Sequence, residues 1–369
     1  MKKVMYILSN IDKSNEFEWV ADRMDKSRFA ISFISIHSQE NTAHHQFCKE
    51  RNIPFFHVSY AGKKDIATAL WQTVKILRRE KPDVVHAHLF EGGLIGITAA
   101  FIAGIKKRIY TRHYATQHHE YAPSGVKYDK LVNKLSTQVI ATCGNVQEVL
   151  TEMEGCPENK VVLIHHGFPL EDFSDVSADR IQAIKDKYQL HTHPVIGVIS
   201  RYLHLKGIQY IIPAFARLRE KYPTAKLVLA NAKGEYKSTV QQMLQQLPEE
   251  AYVEIAFEHD NAALFKSFDV FVHVPINCRI EAFGQIYIEA LAAGIPGVFT
   301  LSGVAPDVVK DGENALVVDF ENAEQIYSAI DRLLSDDDLR RKIIKNGLSS
   351  LDRFTIEQKV SALEKLYEA

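Results

Sequence analysis

The sequence predicts an α/β fold made of two Rossmann-like domains of similar size. Short apolar runs rich in β-branched residues alternate with longer amphipathic segments, the pattern of βαβ units around parallel strands buried on both faces. These runs fall into two series, separated by segment 166–190 with its Gly167, Pro169 and acidic cluster. A length of 369 residues, at roughly 100–200 residues per domain, accommodates both series.

In the first series the strands are expected at 4–8, 30–36, 55–58, 84–88, 108–111, 138–141 and 161–165. Helix 178–188 lies in the connection, and the second series follows at 195–200, 226–230, 252–257, 270–274, 297–300 and 315–318. Three helices, 323–334, 337–348 and 355–368, close the chain, with a break at 350–354. Ligands of open parallel sheets bind beyond the carboxyl ends of the strands, so two facing sheets would hold a substrate in the cleft between them.

Composition narrows the function. Lys plus Arg number 44 against 46 Asp plus Glu, a net charge of −2 that offers no field for a nucleic-acid backbone. Cys48, Cys143, Cys156 and Cys278 show no metal-ligand spacing, and a large chain with four scattered cysteines points to a reducing cytoplasm. The apolar start at 4–8 is too short for a signal peptide and reads as a buried strand. The longest weakly polar run, 92–105, is likewise too short for a membrane span, which needs about 20 residues.

The chemistry is concentrated at strand ends. After strand 195–200 the chain reads RYLHLKGIQ, which puts Arg201 and Lys206 beside Gly207 at a helix start. Two cations and a helix N-terminus suit a diphosphate. Pro213 must either begin the regular helix there or kink it.

After strand 270–274 the stretch CRIEAFGQIYIEALAAGIPG gives an approach loop with Glu281 to Gly284, then a helix carrying Glu289. A helical carboxylate at that place suits the paired hydroxyls of a ribose. In the first domain His86 and His88 share a strand face, and His113 follows the next strand. No matching carboxylate or cysteine set accompanies these histidines, so no metal site is expected. His118 and His119 read as loop residues, and His44, His45, His165 and His166 show no partner pattern. Cys143 opens a helix without a histidine placed beside it, and is not expected to be a nucleophile.

Together, EAFGQIYIE with its E-x7-E spacing, the Arg201…Lys206-Gly207 loop, HHGFPLEDF and SGVAPDVVKDGENALVV resemble the retaining, nucleotide-sugar-dependent glycosyltransferases of the GT-B fold, the group 1, family 4-like enzymes. The match covers nearly the whole chain. It implies an acceptor-binding domain at 1–170, a nucleotide-sugar domain at 171–352, and a last segment, 353–369, packing back on the first domain. It further implies Arg201, Lys206, Glu281 and His113 at the reacting centre. Lys206 and Arg201 would hold the diphosphate, Glu281 the sugar hydroxyls, and His113 would point at the donor sugar. Glu289 would bind the ribose, with Phe283, Gly284, Gln285 and Ile286 completing the nucleotide site.

Such enzymes use no metal or other cofactor. The donor is a nucleoside diphosphate sugar, with UDP as the family default, and the acceptor a glycan or a lipid-linked glycan of the cell surface. Departure of the diphosphate on the face attacked by the acceptor gives retention, the leaving oxygen taking the acceptor's proton. Two segments depart from the family pattern: Ser9 to Ser14 replaces a glycine-rich first loop, and AFEHDNAAL replaces the glycine motif after strand 252–257. Lys63-Lys64, Arg78-Arg79 and Lys106-Lys107-Arg108 offer at most weak peripheral contact with anionic lipid at the inner face of the membrane. An epimerase of the same fold would turn over donor without acceptor, and a silent nucleotide-sugar-binding subunit would not turn it over at all. A phosphorylase would need a lysine-bound pyridoxal phosphate, for which no lysine here is suited.

Overall fold

A computed structural model describes all residues, 1–369, as two compact units: Met1–Phe168 with Ile356–Ala369, and Pro169–Thr355. The chain therefore crosses between units at 168/169 and 355/356, where the sequence suggested 170/171 and 352/353. Phe354 accounts for the second difference. It is fully buried against the ring of Phe283, 6.3 Å away, and so keeps the break at 350–354 in the second unit.

The first unit holds a seven-stranded parallel sheet: β1 (Lys2–Ser9), β2 (Phe29–His37), β3 (Phe55–Ser59), β4 (Val84–His88), β5 (Lys107–Arg112), β6 (Gln138–Ala141) and β7 (Val161–Leu163). Its order is β3-β2-β1-β4-β5-β6-β7. The second holds β8 (Val195–Ile199), β9 (Lys226–Ala230), β10 (Tyr252–Ile255), β11 (Val270–His273), β12 (Gly297–Phe299) and β13 (Leu316–Val317), in the order β10-β9-β8-β11-β12-β13. Each sheet reverses its winding beside its first strand, between β1 and β4 and between β8 and β11. Such a switch point leaves a crevice beyond the carboxyl ends.

Both first strands are apolar along their length because helices cover both faces, and Val4 to Leu8 and Val195 to Ile199 are buried throughout. All thirteen expected strands are present, several ending one or two residues early. Ile164 and Val274 remain buried beyond the last ladder bonds of β7 and β11, so apolarity outruns the hydrogen-bonded strand. Helix Ile208–Lys221 starts five residues ahead of Pro213 and runs through it, so Pro213 does not begin it. The buried Ile208, Ile211, Ile212, Phe215 and Leu218 stripe holds it on the sheet despite the lost backbone donor. His118 and His119 lie in a helical turn, Gln117–Tyr121, rather than a loop. They are held there by the buried acids Asp129 and Glu154, at 2.7 and 3.5 Å.

The last helix, Ile356–Glu368, belongs to the first unit. Ile356, Val360, Leu363, Leu366 and Tyr367 share a core with Val4, Tyr6, Leu8 and Phe29. The register that sets Tyr6 against His86 brings three polar groups together: the hydroxyls of Tyr6 and Tyr367 lie 2.6 Å apart, and His86 Nδ1 lies 2.7 Å from Tyr367 Oη. Tyr367→Phe is expected to cost about 1 kcal/mol in a chemical denaturation, the net worth of a buried hydrogen bond plus a stranded partner. A variant as stable as the parent would show that this network holds nothing.

Candidate active site

In the second unit the site grows from the two strands flanking the switch point. β8 ends at Ile199, and the chain turns through Arg201 and a short helical turn, His204–Lys206, to Gly207, which precedes helix Ile208–Lys221. Gly207 is required twice over. Its φ is +74°, and a Cβ there would stand 1.9 Å from the carbonyl oxygen of Val274. The Leu205 carbonyl accepts from Ile276 N–H at 3.1 Å, tying the loop after β8 to the loop after β11. Arg201 is exposed at the mouth of this loop, while Lys206 is mostly buried.

Lys206 is ion-paired with Glu281 Oε1, and His273 Nε2 lies 3.5 Å from the same oxygen. Burial would raise the Glu281 carboxyl, but His273 and the Lys206 ammonium outweigh it and hold the group down at about 2. Glu281 is therefore a fixed anion. His273 itself is pulled below the ordinary histidine range by burial, against the opposing pull of Glu281. It is buried and packs edge-on against Tyr287, 4.8 Å between centroids.

The loop that carries Glu281 is held from below. Glu281 N–H donates to Ser302 Oγ at 3.3 Å, and Val304 N–H to the Phe283 carbonyl at 2.7 Å. Gly303, at φ +61°, passes so close that a Cβ would meet the Phe283 oxygen at 2.5 Å. The Phe283 side chain is buried, so what that residue has to offer a ligand is backbone.

Gly284, at φ +77°, caps helix Gln285–Ala292, whose first turn, Gln285 and Ile286, presents backbone N–H groups without helical partners. One turn on, Glu289 is 8% exposed, which removes it from the class of ordinary solvated helix glutamates. Burial lifts its carboxyl to about 7, with the Gln285 amide donating to Oε1 at 2.9 Å in partial opposition. The folded value lies above the unfolded one, so the stabilising effect of the protonated form is complete below the ordinary carboxylate range and is lost as pH rises towards 7. A ribose diol needs the ionised acceptor. If Glu289 receives a ribose, as the resemblance implies, nucleoside diphosphate affinity should fall about tenfold between pH 8 and pH 6, as a group of that pKa takes up its proton. Titration calorimetry at the two pH values checks this, and Glu289→Gln should abolish the dependence.

His113 lies in the first unit, just after β5, and is half-buried. Its Nε2 is 3.0 Å from Nδ1 of His88 at the end of β4, and its ring stacks on His166 at 5.5 Å. Burial and the neighbouring His166 push it down to about 3, so it is neutral at physiological pH. The expectation that these histidines lack a carboxylate needs correction. Glu16, on helix Asn15–Arg23, brings an oxygen within 4.8 Å of ligand atoms of His113 and His166. Helix Ile356–Glu368, however, seats the Lys359 ammonium on that carboxylate, so the chain's own cation already pairs with it. The first loop also departs from expectation less than its bulk suggests. Asn10 adopts φ +52°, a conformation asparagine tolerates, and Ser9 Oγ accepts from Gly92 N–H at 2.9 Å.

Sequence reasoning missed His273, Ser302, Glu16 and Lys359. His273 carried a usable signal, as the one polar residue in the run Val270 to Val274. Glu16 and Lys359 are 343 positions apart and had none.

Comparison with known proteins identifies the family and the fold. Residues 180–349 match the family described as glycosyl transferases group 1, and residues 20–172 match glycosyltransferase family 4. The capsular polysaccharide biosynthesis glycosyltransferase CapM of Staphylococcus aureus is 26% identical over 324 residues, 83% of each chain. The alpha-monoglucosyldiacylglycerol synthase of Acholeplasma laidlawii is 23% identical, over 80% of this chain and 77% of its own. Among solved structures, Anabaena HepE in complex with UDP and glucose superposes with a TM-score of 0.83 at 18% identity over the full length of both chains. With family matches over residues 20–172 and 180–349 and the fold reproduced end to end, the chain is a GT-B glycosyltransferase that matches the family 4 and group 1 models in succession.

Proposed function

We propose that the protein transfers a hexose or N-acetylhexosamine from a UDP-sugar to a glycan or lipid-linked acceptor of a cell-surface polysaccharide, with retention of configuration and without a metal. The observation that carries this reading is the convergence on one switch point of Lys206, paired with a permanently ionised Glu281, and of Glu289 on the next helix. HepE, solved with UDP, and CapM, named for capsular polysaccharide, support the choice of donor and product class.

In this reading Glu289 and Gln285 receive the ribose, and the first turn of helix Gln285–Ala292 meets the diphosphate. Lys206 and Arg201 neutralise the charge that grows on the leaving oxygen, the task a metal performs elsewhere. Glu281, anchored by His273 and Ser302, fixes Lys206 and turns its remaining acceptor capacity to the sugar hydroxyls. The neutral His113 contacts the donor sugar, and the first unit receives the acceptor. The leaving phosphate oxygen takes the acceptor's proton as the new glycosidic bond forms on the same face. No helix is long and apolar enough to cross a membrane, and we place the protein in the cytoplasm, with at most peripheral contact with the inner membrane face.

The test is release of nucleoside diphosphate from UDP-, GDP-, ADP- and TDP-sugars with chelator present, with and without lipid-linked and glycan acceptors. UDP release that depends on acceptor supports the reading. Interconversion of the donor sugar without acceptor would replace it with epimerisation.

A further inference from the structure

We propose that Glu16, His88, His166 and Lys359 are positioning residues that hold the imidazole of His113 in one orientation and one neutral tautomer, with its hydrogen on Nδ1. This deepens the reading of His113 as the group that meets the donor sugar, and rests on it.

His88 fixes the ring of His113. It is buried, stacked on Tyr6 at 5.2 Å with 8° between the planes, and met edge-on by Phe17 at 4.7 Å. Its ring cannot turn without displacing both. Its Nδ1 faces His113 Nε2 at 3.0 Å, so one of the two nitrogens must donate. If His113 donated, His88 would carry its hydrogen on Nε2, an atom buried without a protein partner. A stranded N–H is costlier than a stranded lone pair, because acceptors tolerate incomplete satisfaction better. His88 is therefore the donor, and His113 keeps its hydrogen on Nδ1.

The opposite face of His113 is closed by His166, 5.5 Å away at 30°. His166 Nδ1 lies 2.7 Å from Glu16 Oε1, and a carboxylate can only accept, so the hydrogen of His166 is on Nδ1. Lys359 completes the group by pairing with the same Glu16 oxygen while it sits 3.4 Å from His166 Nδ1. Burial pulls the Lys359 amine down to about 7.

The placement in the chain is informative. His166 lies two residues before the first crossing between units, and Lys359 lies three residues after the second. The crossings are joined by the bond from Ile356 N–H to the Phe168 carbonyl, 3.1 Å. Both ends of the linker region thus converge on the ring of His113.

The test uses the full chain, selectively labelled with ¹⁵N-histidine, and the donor and acceptor that give turnover. In Lys359→Met the kcat is expected to fall about tenfold with donor KM within about twofold, the signature of a misplaced group rather than a lost binding contact. Lys359→Arg should recover most of the loss. His88→Asn, whose amide can replace the Nδ1–H donor, should lose less than His88→Phe. The imidazole nitrogens of His113, assigned by their disappearance in His113→Ala, should show a single Nδ1–H tautomer in the parent and an average of two in Lys359→Met. Glu16→Gln gives the same readouts if Lys359→Met fails to fold. Unchanged kcat and unchanged His113 signals in folded Lys359→Met and Glu16→Gln would overturn the proposal. Full activity in His113→Ala would instead overturn the role of His113 itself, and the nitrogen signals would still decide whether its neighbours position it.

Discussion

Lys206→Ala is expected to lower turnover by about 10²–10³-fold, the usual effect of removing one preorganised group that stabilises transition-state charge. The ammonium is held in place before the substrate arrives, since Glu281 is ionised, buried and itself pinned by Ser302. Its geometry needs no reorganisation when charge develops on the diphosphate. Removing it also takes from Glu281 its ammonium partner. A carboxylate depressed to about 2 in the folded state contributes stability above the ordinary carboxylate range and loses it as pH falls through the folded value. The stability gap between parent and variant should thus be full at pH 7 and shrink on acidification from about pH 4.5 towards pH 2. Steady-state kinetics and denaturation across that range measure both effects. A variant with near-parental kcat would remove Lys206 from the chemistry.

The second large effect is expected at a residue with no side chain. Gly207→Ala places a methyl 1.9 Å from the Val274 carbonyl oxygen at a φ of +74°. The conformation alone costs about 1–2 kcal/mol for an L-residue, and the overlap with a backbone oxygen at the end of β11 must be relieved by moving one loop from the other. We expect a loss of about 2–4 kcal/mol in stability, read from denaturant midpoints. The bond from Ile276 N–H to the Leu205 carbonyl would break with that movement, carrying Lys206 away from Glu281, so activity should fall further than stability alone explains. A fully active and fully stable Gly207→Ala protein would contradict the role given to the packed loops.

How far the sequence alone reached follows from which interactions are local. The strands could be read because the central ones are buried on both faces, so composition along a short run reports directly on the fold. The Arg201…Gly207 and Glu281…Glu289 segments could be read because each lies within one strand–loop–helix unit, where spacing fixes geometry. Strand ends were less exact, as at β7 and β11, because burial continues after the ladder stops. The histidine cluster could not be resolved. His113 gains meaning from Glu16, His88, His166 and Lys359, which come from four separate elements that only the fold assembles. Of the two readings of Pro213, a helix start is excluded, since the apolar stripe of Ile208–Lys221 carries the helix through it.

The proposed function requires the second unit to bind a nucleoside diphosphate through Lys206, Arg201 and Glu289. The most direct test is the thermal midpoint of the parent and of Glu289→Ala with UDP, GDP, ADP and TDP in the presence of chelator, because a ligand that binds only the folded state raises the midpoint by linkage. The account predicts a rise that is largest with UDP and is lost in Glu289→Ala. No rise with any of the four nucleotides would contradict it.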